Sequence, residues 1–528
     1  MKKNTLISLI ITFVVAVIAY YFLLPPFNVT SPLFWSYVLS MIFLLAALMF
    51  SSSFDFIRRK NNLQKSSIII VFSICIIILL IVSTNFVLSP LFQSDDYANR
   101  ITILEDGNFN EDIAEVNFNK LPLLDKDSSL KLGDRVMGQM SELVSQFYVS
   151  NLYTQINYND SIIRVTPLEY NGIFKYFTNR SNGVKGYITV NSVSGESTLV
   201  KLDKGMRYMP SAYFFEDLNR HLRVKYPMEI FDEEYFELDN EGNPYWIVPT
   251  VSYKGIGIRK DITGVIIVNP INGECTKYEI EEIPSWVDHV YDPYLIIEQV
   301  DDWGSYKNGF FNSIFGQKNV VMTTEGYNYT IMNDDVYLYT GITSVVNDES
   351  NIGFILTNLR TKETVFYSVP GAEEYSAMAS AEGQVQQMKY TSTFPLLINL
   401  NGRATYVVSL KDNAGLVKMY GFVDVLDYQK VSVSDSSLGI QEAARVYLEE
   451  ENFSYEEATM LNKTITVQTI KSVVQNGNTT YYIVDTIGNK YKASIKVNDN
   501  LLPFVESGAI LQIGYLKEEV VTEIINIY

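Results

Sequence analysis

The side chains that do most enzyme chemistry are scarce in this chain: 528 residues hold two cysteines and two histidines. Cys75 falls in an apolar run and Cys275 stands alone in the remainder, so no disulfide joins parts of the large domain and packed cores must hold it. Two imidazoles and one outer thiol provide poorly for Ser-His-Asp or Cys-His catalysis. His221 ends an expected helix among Arg220, Arg223 and Lys225. His289 lies between Asp288 and Asp292 and is expected as a surface residue on a helix, since a zinc site normally gathers more nitrogen and sulfur than this trio offers. No catalytic residue, metal or cofactor is assigned.

Positive charge is scarce too, and unevenly placed. Of 41 basic and 60 acidic residues, six basic and one acidic fall in residues 1–94, leaving 35 and 59 for residues 95–528. So acidic a surface repels phosphate backbones, which excludes nucleic acid as a partner and sets the domain off from an anionic leaflet.

Charge is missing altogether from residues 4–54 and 66–94. These stretches contain apolar runs at 6–24, 33–50 and 67–88, each about 20 residues, the length that crosses roughly 30 Å of hydrocarbon at 1.5 Å per residue. Pro25, Pro26 and Pro32 break the first from the second. The first run exceeds a signal-peptide core and lacks a small-residue cleavage site, so it is expected to stay as a span. Lys2 and Lys3 precede the first span, Arg58, Arg59, Lys60 and Lys65 lie between the second and third, and the loop between the first two carries no charge. The positive-inside rule then puts the N-terminus in the cytoplasm and residues from about 90 to 528 outside it, behind a three-span anchor at the cell membrane. No Asp, Glu, Lys, Arg or His interrupts the spans, as expected of an anchor rather than a transport path.

Beyond the anchor the pattern is β-rich α+β. Helices are expected at 133–148, 210–223, 284–300, 371–388 and 438–450, with alternating strands between them, among them 100–104, 161–166, 319–324, 336–340, 354–358, 363–369 and 405–410. One pattern occurs twice: GYITVNSVSGESTLVK at 186–201 and GVIIVNPINGECTKYE at 264–279. In each an alternating strand runs into Asn191 or Asn269, then a turn where Gly195 or Gly273 supplies positive φ before Glu196 or Glu274, then a second strand. This pair resembles the hairpin of PepSY and related cystatin-like modules. The resemblance covers about 30 residues. It implies small helix-plus-sheet units, often repeated, outside the membrane of bacterial proteins, where they bind peptides or restrain peptidases; it carries no catalytic residues. After Lys463, five short strands with turns at Asn476, Gly477 and Asn478 and at Gly488 suggest a small barrel of the OB or SH3-like kind.

Four domains follow: an anchor at 1–94, cystatin-like α+β modules at 95–280, a β-rich α+β domain at 281–430, and a helix plus small barrel at 431–528. Trp303, Tyr306, Phe310 and Phe311, set among Gly304 and Gly309, form the one aromatic and glycine-rich stretch able to make a recognition loop for a peptide or glycan, and equally able to pack as a core crossover. Asp239 to Asn243 looks like a calcium loop but lacks the closing glutamate, so a hairpin turn is expected. The expected function is a non-catalytic envelope protein that binds a protein or peptide partner. The alternatives are a cell-wall glycan enzyme using carboxylates near Glu298, Asp301 and Asp302, and a subunit of a secretion or transfer apparatus.

Overall fold

The computed structural model describes every residue except 1, 55–61, 140, 160, 333, 346, 452–460, 476–477, 499–500, 516–519, 525 and 528. Arg58, Arg59, Lys60 and the turn at 476–477 lie outside the described residues. Two compact units divide the chain, Met1–Glu451 and Asn452–Tyr528.

The first unit begins with three helices, α1 (Lys2–Leu23), α2 (Pro32–Phe54) and α3 (Asn62–Val87). Each has a stretch long and apolar enough to cross a membrane, which fits a multi-pass membrane protein. Phe13, Phe22, Phe43, Phe72 and Leu80 point outward along them, as side chains do when lipid is the solvent. The α1–α2 loop and the end of α3 share one side of these helices, where both dock on the same part of the following domain. Phe27 N–H donates to Pro227 O (2.8 Å) and Gly257 N–H to Thr30 O (3.1 Å). Asn85 binds Ile256 twice, through its carbonyl and its amide, at 2.9 Å each. The last carbonyls of a helix have no partner within it and carry the negative end of its dipole. Here Arg223 Nε donates to Leu24 O (2.9 Å) and Arg220 to Tyr21 O (3.2 Å), with the Arg220 guanidinium 4.1 Å from the Tyr21 ring centre.

After a short helix, α4 (Pro90–Ala98), one plan is used four times. Each copy is a helix followed by a first strand broken in two, both pieces pairing with the second strand, and then a third and fourth strand. The helices are Lys126–Gly138, Leu218–Lys225, Pro293–Tyr306 and Glu374–Gln384. The second, third and fourth strands are Ser161–Tyr170, Val184–Asn191 and Ser197–Met206 in the first copy; Pro244–Tyr253, Lys260–Val268 and Cys275–Glu279 in the second; Asp335–Ser344, Asn347–Asn358 and Thr364–Tyr367 in the third; and Arg403–Lys411, Val417–Asp424 and Val431–Asp435 in the fourth. A fifth helix, Ile440–Glu450, stands where another copy would begin, with Tyr447 stacked on Phe422 of the fourth sheet.

The repeated turn shows why the sequence displays only two of these copies. Asn191 Oδ1 accepts from Val193 and Ser194 N–H, and Asn269 Oδ1 from Ile271 and Asn272 N–H. Asn358 does the same for Arg360 and Thr361, but Lys362 (φ 65°) replaces glycine at the left-handed position. Its ammonium reaches Asp261 (2.9 Å) and Arg100 O (3.1 Å), contacts no glycine could make and a partial offset for the strained φ. In the fourth copy Asp424 stands in the asparagine's place and the turn is one residue longer, returning at Lys430.

The copies stack as alternating helix and sheet layers. Along the second sheet, Trp246, Val248, Ile266 and Val268 join one core with the first copy, while Ile247, Val251, Val265 and Ile267 join another with the third. Side chains alternate across a strand, so an antiparallel sheet covered on both faces must be apolar in both registers. The next core joins Tyr339, Phe354 and Leu356 of the third sheet to Ala377 and Ala381 of the fourth helix and Tyr406, Val408 and Val423 of the fourth sheet. The stack bends back on itself: Lys411 of the fourth copy pairs with Asp125, the N-cap of the first helix, and Ser409 donates to Leu123 O (3.0 Å). The third sheet also takes in Ile103–Gly107, which adds in parallel to the outer edge of Thr364–Tyr367.

Several expectations shift. The helix expected at 133–148 is Lys126–Gly138 with a short turn Ser141–Val144, and Phe147 begins a strand, because its apolar spacing fits both periods. The helices expected at 210–223 and 284–300 are Leu218–Lys225 and Pro293–Tyr306. Asp217 and Asp292 cap them and fix where they start, Asp292 Oδ1 accepting from Tyr294 and Leu295 N–H. His289 is no surface helical residue: it lies in the irregular segment before that helix and is buried, at 2% exposure.

Among the described residues the second unit is a curled half-barrel of six strands. Its long strand Leu461–Gln475 pairs through its first half with Ile510–Tyr515 and through its second with Asn478–Asp485, around a core of Ile465, Val467, Ile483, Tyr491 and Ile513.

Candidate functional site

A groove of about 860 Å³ opens on the first copy, at the turn end of its sheet. Its floor is the face turned toward the second copy, with Ile163, Tyr187, Thr189, Thr198 and Val200 on successive strands, and its roof is the hairpin carrying Glu241, Gly242 and Asn243, with Ile271 beside it. The roof is built locally. Asp239 Oδ1 accepts from the Glu241 and Asn243 N–H groups, so the loop that looks like a calcium site is a self-bonded hairpin turn. Gly242 (φ 84°) brings its carbonyl to the Tyr187 hydroxyl, which donates to it at 2.9 Å. Burial, then Tyr158 and Asp239, push the Tyr187 hydroxyl up to about 12, so it stays a donor. The rim is mixed in sign, with Glu196, Asp203 and Glu241 beside Lys201 and Lys204.

One wall is the strand Ser197–Met206, the last in its sheet, and no further strand pairs with it among the described residues. Backbone donors and acceptors on such an edge are open to another chain. In the third copy the same edge is filled in parallel by Ile103–Gly107.

The matching place in the second copy is closed. Arg164 pairs with Val190 and Trp246 with Val268, and each valine immediately precedes a turn asparagine, so the two sheets can be laid over each other residue by residue. Ile163 then matches Tyr245, and Thr189 matches Ile267. The Trp286 ring lies 5.2 Å from that of Tyr245 and plugs the space. In the first copy the corresponding connection turns away, with Arg207 and Tyr208 N–H bonded to Pro270 O (2.7 and 2.9 Å). Setting the two hairpins side by side in the sequence shows Thr189 against Ile267, a small polar side chain on a face that should be bulky. That signal was open to sequence reasoning, which missed the groove.

The aromatic residues singled out from the sequence lie elsewhere. Trp303 and Tyr306 are on the third copy's helix, Trp303 beneath the Lys307 ammonium (3.7 Å) and Tyr306 edge-on to Tyr97 (5.9 Å). Phe310 stacks on Tyr306, while Phe311 faces outward at 64% exposure. None of the four lines the groove.

The carboxylates near Glu298 are engaged in ion pairs and hydrogen bonds. Arg100 binds both Glu298 (2.7 Å) and Asp302, and Asp301 Oδ1 accepts from the Thr323 N–H and hydroxyl at 2.8 and 3.0 Å. Burial raises the Asp302 carboxyl to about 6 in spite of Arg100. A second buried set joins three copies: Glu237 accepts from the Asp288 and His289 N–H groups at 2.9 Å each, and Asp288 accepts from Asn157 N–H (2.8 Å). Burial, then Glu237, push the Asp288 carboxyl well above its usual range. No cluster of three or more His, Cys, Asp or Glu side chains suited to a metal occurs among the described residues.

No protein-family model matches this chain, and no curated protein matches it.

Proposed function

We propose that this is a membrane-anchored, extracytoplasmic binding protein whose first copy holds an extended peptide segment of a partner protein. The observation that carries the proposal is the groove of about 860 Å³ walled by a ten-residue edge strand whose outer side pairs with no further strand among the described residues. Strand addition suits such a wall: main-chain hydrogen bonds give affinity, and alternate side chains enter the groove. The third copy supplies a precedent within the molecule, since its equivalent edge already accepts Ile103–Gly107. The outward location rests on charge: the α1–α2 loop, uncharged in sequence, is on the side where the domain docks, opposite Lys2 and Lys3. The four repeated helix-plus-sheet copies favour the PepSY-like resemblance and its peptide-binding expectation.

The test uses the full chain in its native membrane, with a photo-crosslinking amino acid in place of Thr198. The expected outcome is one cross-linked protein, lost when Thr189→Trp fills the groove as Trp286 fills its counterpart, with the melting temperature unchanged. Cross-linking that persists in Thr189→Trp, or equals that of an exposed position such as Glu363, rejects the proposal.

A further inference from the structure

We infer that the turn after the third copy's helix is a second, non-spanning membrane contact, which sets Phe311, Ile314 and Phe315 into the lipid surface beside the exit of α3. This stands on observations separate from the groove. The three side chains are 64%, 51% and 81% exposed and sit on the single turn Asn312–Gly316 and on Phe311, the residue that caps its start. An exposed cluster of large apolar groups on a rigid support needs a covering. The support here is rigid: Asn312 accepts from Lys318 N–H (3.2 Å) and donates to Lys318 O (3.0 Å), and Gln317 N–H closes on Asn312 O (2.6 Å). Phe311 and Phe315 stack in parallel, with ring centres 6.5 Å apart.

The direction of the turn identifies its covering. Arg100, just past α4, bonds Glu298 and Asp302, while Tyr97, earlier in α4, meets Tyr306. The two helices therefore run antiparallel, and continuing from Tyr306 to Phe310 and Phe315 leads back along α4 toward Pro90 and the end of α3. Phe92, 59% exposed and edge-on to Phe86 (5.2 Å), sits at that end. The same level holds the contacts of Asn85 and Thr30 with residues 256 and 257.

Charge agrees. The domain is acidic overall, yet no acidic residue occurs between Asp302 and Glu325, where the only charges are Lys307 and Lys318. A local gap in negative charge, flanked by lysines, suits anionic headgroups, and aromatic rings suit the boundary between headgroups and acyl chains. The covering is therefore the lipid surface of the membrane that holds α1–α3.

The test reconstitutes the full chain, with Cys75→Ser and Cys275→Ser, into vesicles of phosphatidylethanolamine and phosphatidylglycerol, with a nitroxide label on Phe315→Cys or, separately, Ile314→Cys. Leu80→Cys serves as the lipid reference and Thr198→Cys as the water reference. Collision with oxygen is expected to exceed collision with a water-soluble nickel chelate severalfold, as at position 80. Accessibility matching position 198 overturns the inference. So does shielding from both reagents, which marks burial against protein.

Discussion

The first two copies share a plan and differ in one layer. The second is closed on both faces: Trp246 fills one and Trp286 caps the other. The first has Arg164 where the second has Trp246, and open space where the second has Trp286. Arg164 is buried and its Nε has no hydrogen-bond partner, so the first copy carries polar weight at a position its neighbour spends on packing. The difference separates a face filled by packing from a face left partly open. Both copies pack against neighbours, the second against the first and third and the first against the second and fourth, yet only the first leaves part of one face open.

The sharpest way to break that comparison is Trp246→Ala, with no exposure to soften the loss; it should cost about 3–5 kcal/mol, read by denaturant unfolding in detergent. Trp286→Ala should cost less, on the order of 2 kcal/mol because the ring is half-buried, and should open a second groove detectable as new accessibility at Tyr245. The buried carboxyl Asp288 gives a pH effect. Its folded pKa lies well above the ordinary 3.8, so the folded state holds a proton that the unfolded state releases. Stability should therefore fall as pH rises from about 4 through the raised value, and Asp288→Asn should flatten that part of the melting-temperature profile. Arg164→Leu should have the smallest effect, within about 1 kcal/mol of the parent or more stable, because an apolar group of similar size replaces a charge with little pairing. A large loss there would mean that Arg164 holds the first and third copies together through its neighbours Tyr329 and Tyr327.

The anchor was legible because it depends on one-dimensional quantities, length and absence of charge. The β-rich α+β class was legible from alternation. Two hairpins were legible as repeats because asparagine, glycine and glutamate recur at one spacing. The other two copies were hidden by local solutions to the same turn, Lys362 bearing the positive φ and Asp424 a longer loop. The burial of His289 was hidden because nothing around it in sequence announces that Glu237, 52 positions away, accepts from its backbone. The site was illegible for a related reason: a groove is a missing side chain in one copy relative to another, and only aligned copies reveal it.

The junction between helices and domain has a mechanical consequence. Main-chain and side-chain bonds from both the α1–α2 loop and the end of α3 grip Arg223, Pro227, Met228, Ile256 and Gly257, so the following domain is clamped at two points instead of trailing from one linker. A single tether lets its cargo swivel, whereas a two-point clamp fixes elevation and heading. Tension on the second copy is then shared by three helices, and the distance from those helices to the groove becomes a constant of the molecule.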